Sequence, residues 1–312
     1  MPQVDVPPDG FCRMPMNKIA LVVQLLRPAQ WTKNLVVLAA FFFALGDHTQ
    51  ALRFNHVVDV VLAAILFCVV SSGIYIVNDI LDAPHDRLHP DKRNRPIAAG
   101  AIPPATALML AGVLLVAGIG GGYLLARPFA LVVTVYVILQ FLYSLALKRV
   151  ALVDVLVIAL GFVLRAIAGA VVVVVVISPW LLLCTFLLAL FLGLCKRRHE
   201  LVTLERAAIE HRASLAHYDH HFLDQLIAIV SSATIVCYSI YTLWPDTVAK
   251  FGTEALAATI PLVVFGIFRY LYLVYREAQG GRPERILLRD IPLIVDLVLY
   301  AAMVGFIFYA QK

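Results

Sequence analysis

Asn78, Asp79, Asp82 and Asp86 follow one another at spacings of one, three and four, and Lys92, Arg93 and Arg95 come directly after them. Steps of three and four stack side chains on one helical face. Neighbouring carboxylates repel by about 1 kcal/mol per pair at about 4 Å in water, and by about 4 at an effective dielectric near 20. A cation has to offset that repulsion. Hard oxygen ligands next to a run of Lys and Arg suit Mg²⁺ carrying a phosphorylated substrate; a solvated charged loop is the competing reading. Pro84 disfavours helix at Ala83, so Asp86 is expected to approach from a bent segment. His85 and His89 read as loop residues rather than metal ligands.

Other polar groups recur at the edges of apolar stretches. Arg27, Pro28, Trp31, Lys33 and Asn34 interrupt the first of these stretches. Lys33 is either an anchor at the membrane edge or a neighbour of the site, while the Asn34 amide, entering the membrane, needs partners. The segment YSLALKRVALVD supplies Tyr143, Ser144, Lys148 and Asp154. Arg165 lies eleven residues past Asp154, about 16 Å along a helix, too far for a direct pair. It either reaches into a substrate cavity or cross-links helices. Lys196, Arg197, Arg198 and Glu200 form the run KRRHE, readable as binding residues or as a salt-bridged surface helix. Arg282, Arg285, Arg289 and Asp290 close the series.

These groups need a scaffold, and composition names its class. The mean hydropathy is +0.90, with 62% hydrophobic and 14% charged residues, against about 25% charged in soluble domains. The chain reads as an all-α polytopic membrane protein. Stretches long enough to cross a hydrocarbon layer of about 30 Å fall near 20–45, 57–81, 104–125, 129–147, 152–173, 180–196, 222–243, 255–275 and 291–310, which predicts nine spans. Residues 18–30 are expected to lie at the interface before the chain enters the membrane. With the N-terminus inside, nineteen of the 25 Lys and Arg fall on the inner side, as cytoplasmic loops require. The net charge of +5 then faces anionic lipid and calls for no nucleic acid. Residues 1–17 form a polar, proline-rich tail, and 18–312 a single transmembrane domain. The five cysteines have no paired spacing and read as small core residues.

The NDxxDxxxD pattern at Asn78 to Asp86, the KRNRP after it and RPxxWxKN at residues 27 to 34 resemble the UbiA superfamily of intramembrane prenyltransferases. That resemblance implies nine helices around a central cavity, a polar cap at the cytoplasmic end, and Asp79, Asp82 and Asp86 holding Mg²⁺ on a diphosphate. The superfamily's second aspartate-rich motif is absent, with KRRHE in its place. Together with YSLALKRVALVD, the segment from Gly161 to Gly169 and GGRPERILLRD, this is similar to the branch that makes decaprenylphosphoryl 5-phosphoribose. The resemblance implies phosphoribosyl diphosphate as donor, a polyprenyl phosphate as acceptor and the plasma membrane of a bacterium as location. It makes Asn78 an orienting group. Lys33, Asn34, Lys92, Arg93, Arg95, Tyr143, Lys148, Asp154, Arg165, Lys196, Arg197, Arg198, Glu200 and Asp290 become candidates around the substrates. Prenyl transfer to an aromatic acid such as 4-hydroxybenzoate shares the first motif but wants a second carboxylate cluster. A cation transporter would spread its charges along a path, whereas these crowd at one mouth.

Overall fold

A computed structural model of the protein describes residues 18–47, 54–88, 92–204, 217–277, 280–281 and 283–311. The tail of residues 1–17 and His89, Arg206, Arg212 and Arg282 lie outside them. Every regular element among the described residues is helical. Eight of the helices are long and apolar enough to cross a membrane.

Proline sets many of the starts, because its fixed φ suits the first helical turn and its missing N–H has no partner to lose there. Helices α4 (Pro104–Leu125) and α5 (Arg127–Leu145) begin this way. So do α9 (Pro245–Phe251) and α10 (Ile260–Arg276). Two aspartates act as N-caps instead. Asp219 accepts from the Phe222 N–H at 2.8 Å to open α8 (His220–Leu243). Asp290 accepts from the Leu293 N–H at 3.0 Å to open α12 (Ile291–Ala310). The remaining helices are α1 (Lys18–Leu26), α2 (Ala39–Ala44), α3 (Phe54–Asp86), α6 (Val153–Val173), α7 (Pro179–Leu204) and α11 (Pro283–Arg289).

The first predicted span departs from a plain helix. After α1, Arg27 adopts a left-handed conformation (φ 53°, ψ 59°), and residues Pro28–Leu38 wind as a 3₁₀ helix before α2. A 3₁₀ helix has three residues per turn, so positions three apart stack on one face. Trp31, Asn34, Val37 and Ala40 follow that step. Trp31 donates to Ser72 Oγ at 3.0 Å, Asn34 and Val37 are fully buried, and Ala40 nearly so. Asn34 and Val37, one 3₁₀ turn apart, thus share the buried face of the segment. Gly169 of α6 admits this segment, since a Cβ there would run into the Val37 carbonyl oxygen.

Two boundaries differ from the sequence expectation. Helix α3 is continuous through Pro84 to Asp86, so Asp86 is carried by the same helix as Asp79 and Asp82. The proline removes one hydrogen bond close to the helix end, and the Arg87 N–H recloses the turn on the Ala83 carbonyl at 3.2 Å. Helix α7 runs past the expected span end near 196 to Leu204, so KRRHE is helical, as in its surface-helix reading.

Sequential helices pack side by side from α3 through α8, and α6 also closes on α3. The chain continues through α10, which packs on α8 and α12. Phe42 and Phe43 of α2 reach Phe308 and its cluster on α12, which ties the first segment to the last helix.

Candidate active site

Helix geometry delivers the polar groups to one end of this bundle. The C-terminal ends of α3, α5 and α7 and the N-terminal ends of α6, α8 and α12 all lie there. Asp79 and Asp86 are buried, and Asn78 and Asp82 are half-buried. Each aspartate holds a cation. Arg27 and Arg95 both pair with Asp79 Oδ1, Arg95 at 3.0 Å, and the same Arg95 Nη1 reaches Asp86 Oδ2 at 2.6 Å. Lys148 Nζ lies 2.5 Å from Asp82 Oδ1, and Asn78 Nδ2 donates to Asp82 Oδ2 at 2.9 Å.

Lys92 lies within electrostatic reach of Asp86, Asp82 and Glu200 as well as Arg95. Burial, helped by the Arg95 charge, pulls its ammonium below the ordinary lysine range, against the pull of the three carboxylates. Arg93 points to the exposed side of the same turn. Glu200 pairs with Arg197 one turn earlier on α7. Arg197 is almost fully buried, and its Nε donates to Asp154 Oδ2 at 2.8 Å. Tyr218 donates to the other Asp154 oxygen at 2.9 Å and accepts from the Leu152 N–H at 2.6 Å. Burial raises the Tyr218 phenol to about 12, in spite of the Leu152 bond, which lowers it. Tyr143 lies close enough to Arg197 to interact with it electrostatically. The aspartate set of α3 and the Asp154–Arg197–Tyr218 set of α6 and α7 thus lie within electrostatic reach of each other through Lys92 and Glu200.

Several expected site residues stand elsewhere. Arg198 turns away from Arg197: its Nε binds Asp224 Oδ1 at 2.5 Å, its guanidinium lies 4.0 Å over Tyr275, and the Tyr275 hydroxyl donates to the same oxygen at 2.8 Å. Asp290 is clasped by Arg269 through two bonds of 3.1 and 2.7 Å and caps α12. That bidentate grip holds its carboxyl below the usual range. Arg165 and Asn34 form a separate knot deeper in the bundle. Arg165 donates to Asn34 Oδ1, the Gly161 carbonyl and the Tyr136 hydroxyl, each at 2.8 Å. Phe67, Tyr136 and Phe162 lie around its guanidinium at 4.8 to 5.4 Å. Asn34 in turn donates to Ser71 at 3.1 Å. Arg165 therefore cross-links α5, α6 and the 3₁₀ segment. Lys33 and Lys196 are half-buried in the 3₁₀ segment and α7.

Sequence reasoning gave Arg27 no individual role, and it missed Tyr218. A left-handed non-glycine residue costs about 1–3 kcal/mol and persists only where the surroundings impose it. The Ser72 hydroxyl supplies part of that constraint by donating to the Leu26 carbonyl at 2.8 Å. The readable signal was Arg27 standing directly before Pro28 at the break between two helical segments.

Among the described residues, no group of three acidic, His or Cys side chains is placed to hold a metal ion unaided. Mg²⁺ suits the set nonetheless, since it takes one or two carboxylates, keeps waters and completes its shell with substrate phosphates. Asp79 and Asp82 offer only hard oxygens.

Eight apolar helices with the aspartate cluster gathered at one end define a polytopic membrane protein. The chain belongs to the UbiA prenyltransferase family, whose model matches residues 34–288. It is 36% identical over 297 residues to a decaprenyl-phosphate phosphoribosyltransferase of Mycobacterium tuberculosis, with 95% of this chain and 97% of that one covered. The decaprenyl-phosphate phosphoribosyltransferase of Mycolicibacterium smegmatis is 34% identical over 300 residues, covering 95% and 94%. A solved UbiA homolog from Archaeoglobus fulgidus, bound to GPP and Mg²⁺, superposes with a TM-score of 0.69 at 18% identity, over 93% of this chain and 99% of that one.

Proposed function

We propose that this protein transfers the 5-phosphoribosyl group from phosphoribosyl diphosphate to a polyprenyl phosphate of the decaprenyl type. The observation that carries the reading is the full-length likeness to enzymes named for that acceptor and that transfer. The site's charges agree with it. The donor brings a diphosphate and a 5-phosphate, and the acceptor a third anionic group, so the pocket needs cations in excess of carboxylates. Arg27, Lys92, Arg93, Arg95 and Lys148 supply them around Asp79, Asp82 and Asp86. Where a second aspartate cluster would serve a prenyl diphosphate, α7 presents Lys196, Arg197 and Glu200.

In this mechanism Asp79 and Asp82 are the residues that would hold Mg²⁺ together with the substrate phosphates, with Asn78 fixing the Asp82 carboxylate and Arg95 joining Asp86 to Asp79. When bound, the ion neutralises charge building on the departing diphosphate. Lys92, Arg93 and Arg95 share that task. As the bond from the anomeric carbon to the diphosphate breaks, that carbon gains oxocarbenium character, and an oxygen of the lipid phosphate bonds to it. The lipid phosphate is already ionised, so no strong base is required. Positioning and electrostatics do most of the work.

The reading includes a placement. Residues 28–44 would make a ninth crossing, because eleven 3₁₀ residues at about 2.0 Å and six α-helical residues at about 1.5 Å reach about 31 Å. The basic bias then puts the charged end on the cytoplasmic side of a bacterial plasma membrane, and residues 18–312 form one domain.

The test is incubation of the purified protein with Mg²⁺, phosphoribosyl diphosphate and decaprenyl phosphate. A lipid product that retains ribose 5-phosphate is expected, and Asp79→Asn or Asp82→Asn should remove it without unfolding the protein. Product formed only from a prenyl diphosphate and an aromatic acid would overturn the assignment.

A further inference from the structure

The two arginines on Asp79 come from opposite directions. Arg95 belongs to the loop beyond α3 and bridges Asp79 to Asp86, seven residues or about 10 Å toward the open end of the helix. Arg27 approaches from the other side. Its guanidinium stacks 5.6 Å over Tyr75, one turn or about 6 Å deeper than Asp79. Arg27 also ends α1, which buries Leu25 against Ile76 and Ala83 of α3 while leaving Ile19, Val22 and Val23 exposed. An exposed apolar face on a short helix beside a charged end suits the boundary between headgroups and hydrocarbon. The Arg27 side chain is not sealed in: 23% of it is exposed, against 4% for the Asp79 carboxylate it holds.

We infer that Arg27 is the residue that binds the phosphate of the acceptor lipid and holds it beside the donor. The inference rests on the phosphoribosyl-transfer reading and goes further, because it divides the cations between the two substrates. A donor dissolved in water enters from the open end and meets Lys92, Arg93 and Arg95 first. An acceptor whose phosphate is fixed to a hydrocarbon chain presents it from the apolar side, where Arg27 is the cation of the aspartate cluster placed deepest. A guanidinium already paired with a carboxylate can exchange it for a phosphate oxygen while keeping its planar two-pronged geometry. The left-handed backbone at Arg27, braced by Ser72, Leu26 and Trp31, fixes where that guanidinium can reach. Arg27 is thus a binding residue for the acceptor, and through it a positioning residue for the attack.

Initial rates in nanodiscs, measured against decaprenyl phosphate and separately against phosphoribosyl diphosphate, test this. Loss of a charge-assisted contact predicts that Arg27→Ala raises the KM for decaprenyl phosphate about 10- to 100-fold. The KM for phosphoribosyl diphosphate should rise at least several-fold less than the KM for the lipid, and Arg27→Lys should recover part of the loss. A donor KM or kcat that changes while the lipid KM does not would overturn the inference and leave the transfer reading intact. Equilibrium binding of decaprenyl phosphate and of decaprenol, without donor, separates the two claims. If the wild-type protein transfers no phosphoribosyl group, the transfer reading fails, and the inference stands only if a preference for decaprenyl phosphate over decaprenol is lost in Arg27→Ala. Equal preference in both proteins sinks it. Should Arg27→Ala fail to fold, Arg27→Lys and Arg27→Gln give the same comparison with smaller shifts.

Discussion

Arg197 of α7 and Asp154 of α6 meet at 2.8 Å with almost no exposure on either side, so the best-buried charge of KRRHE works as a strut between two helices. Removing one partner of such a pair leaves the other charged and desolvated, which typically costs 3–5 kcal/mol. Asp154→Ala is therefore expected to destabilise the protein by about 3–5 kcal/mol, read by unfolding in mixed micelles. Asp154→Asn, which keeps an acceptor for Arg197 and Tyr218, should cost less. Equal stability of all three proteins would show that the strut contributes nothing.

Asp82 is the least buried of the three aspartates, and its partners, Lys148 and Asn78, hold it in place. Asp82→Asn should raise the Mg²⁺ concentration needed for half-maximal donor binding by about tenfold or more, the effect of losing one charged ligand. Chelation of divalent ions should abolish transfer, and added Mg²⁺ should restore it. An unchanged metal requirement in Asp82→Asn would remove this residue from the metal's shell.

If Lys92 binds the donor as proposed, it sets a pH limit on donor binding. Its folded pKa lies below the ordinary 10.5, chiefly through burial. It is cationic below that folded value, so the affinity for phosphoribosyl diphosphate should fall as pH rises through it, earlier than for a solvated lysine. Stability moves the other way in the same window, because the unfolded chain there binds a proton that the folded one releases. Lys92→Arg should displace the alkaline limb of kcat/KM upward; a limb that stays in place assigns it to another group.

Gly169 is predicted to be intolerant of any side chain. Its neighbour is the Val37 backbone, which has no rotamer to yield. Gly169→Ala should cost about 3 kcal/mol or more, at the upper end for overpacking. Size-exclusion profiles and thermal unfolding in detergent would register it, and a native-like variant would mean that the 3₁₀ segment can shift.

The parts of this architecture that follow from short-range rules were legible in the sequence. Hydropathy places eight of the helices, and the spacing of Asp79, Asp82 and Asp86 puts them on one face of α3. Pairings between elements were not. Nothing local to Arg197 and Arg198 says that adjacent side chains leave for Asp154 and Asp224 on different helices, because a helical step of about 100° separates neighbours. Arg165 left two readings open in the sequence; its contacts with Asn34, Tyr136 and Gly161 are those of a cross-link. Pro84 predicts a bent approach for Asp86, although so close to a helix end it removes a single bond and leaves Asp86 in the helix. Tyr218 has no local cue, since its partners Asp154 and Leu152 precede it by more than sixty residues.

The 3₁₀ winding of Pro28–Leu38 has a consequence for how this stretch tolerates changes in length. At three residues per turn, one inserted or deleted residue rotates everything beyond it by about 120° and swings Val37 away from Gly169. A change of three residues keeps the same side chains facing inward and alters the reach by only about 6 Å. The segment reads its own length in threes, and natural or engineered variation there should come in that unit.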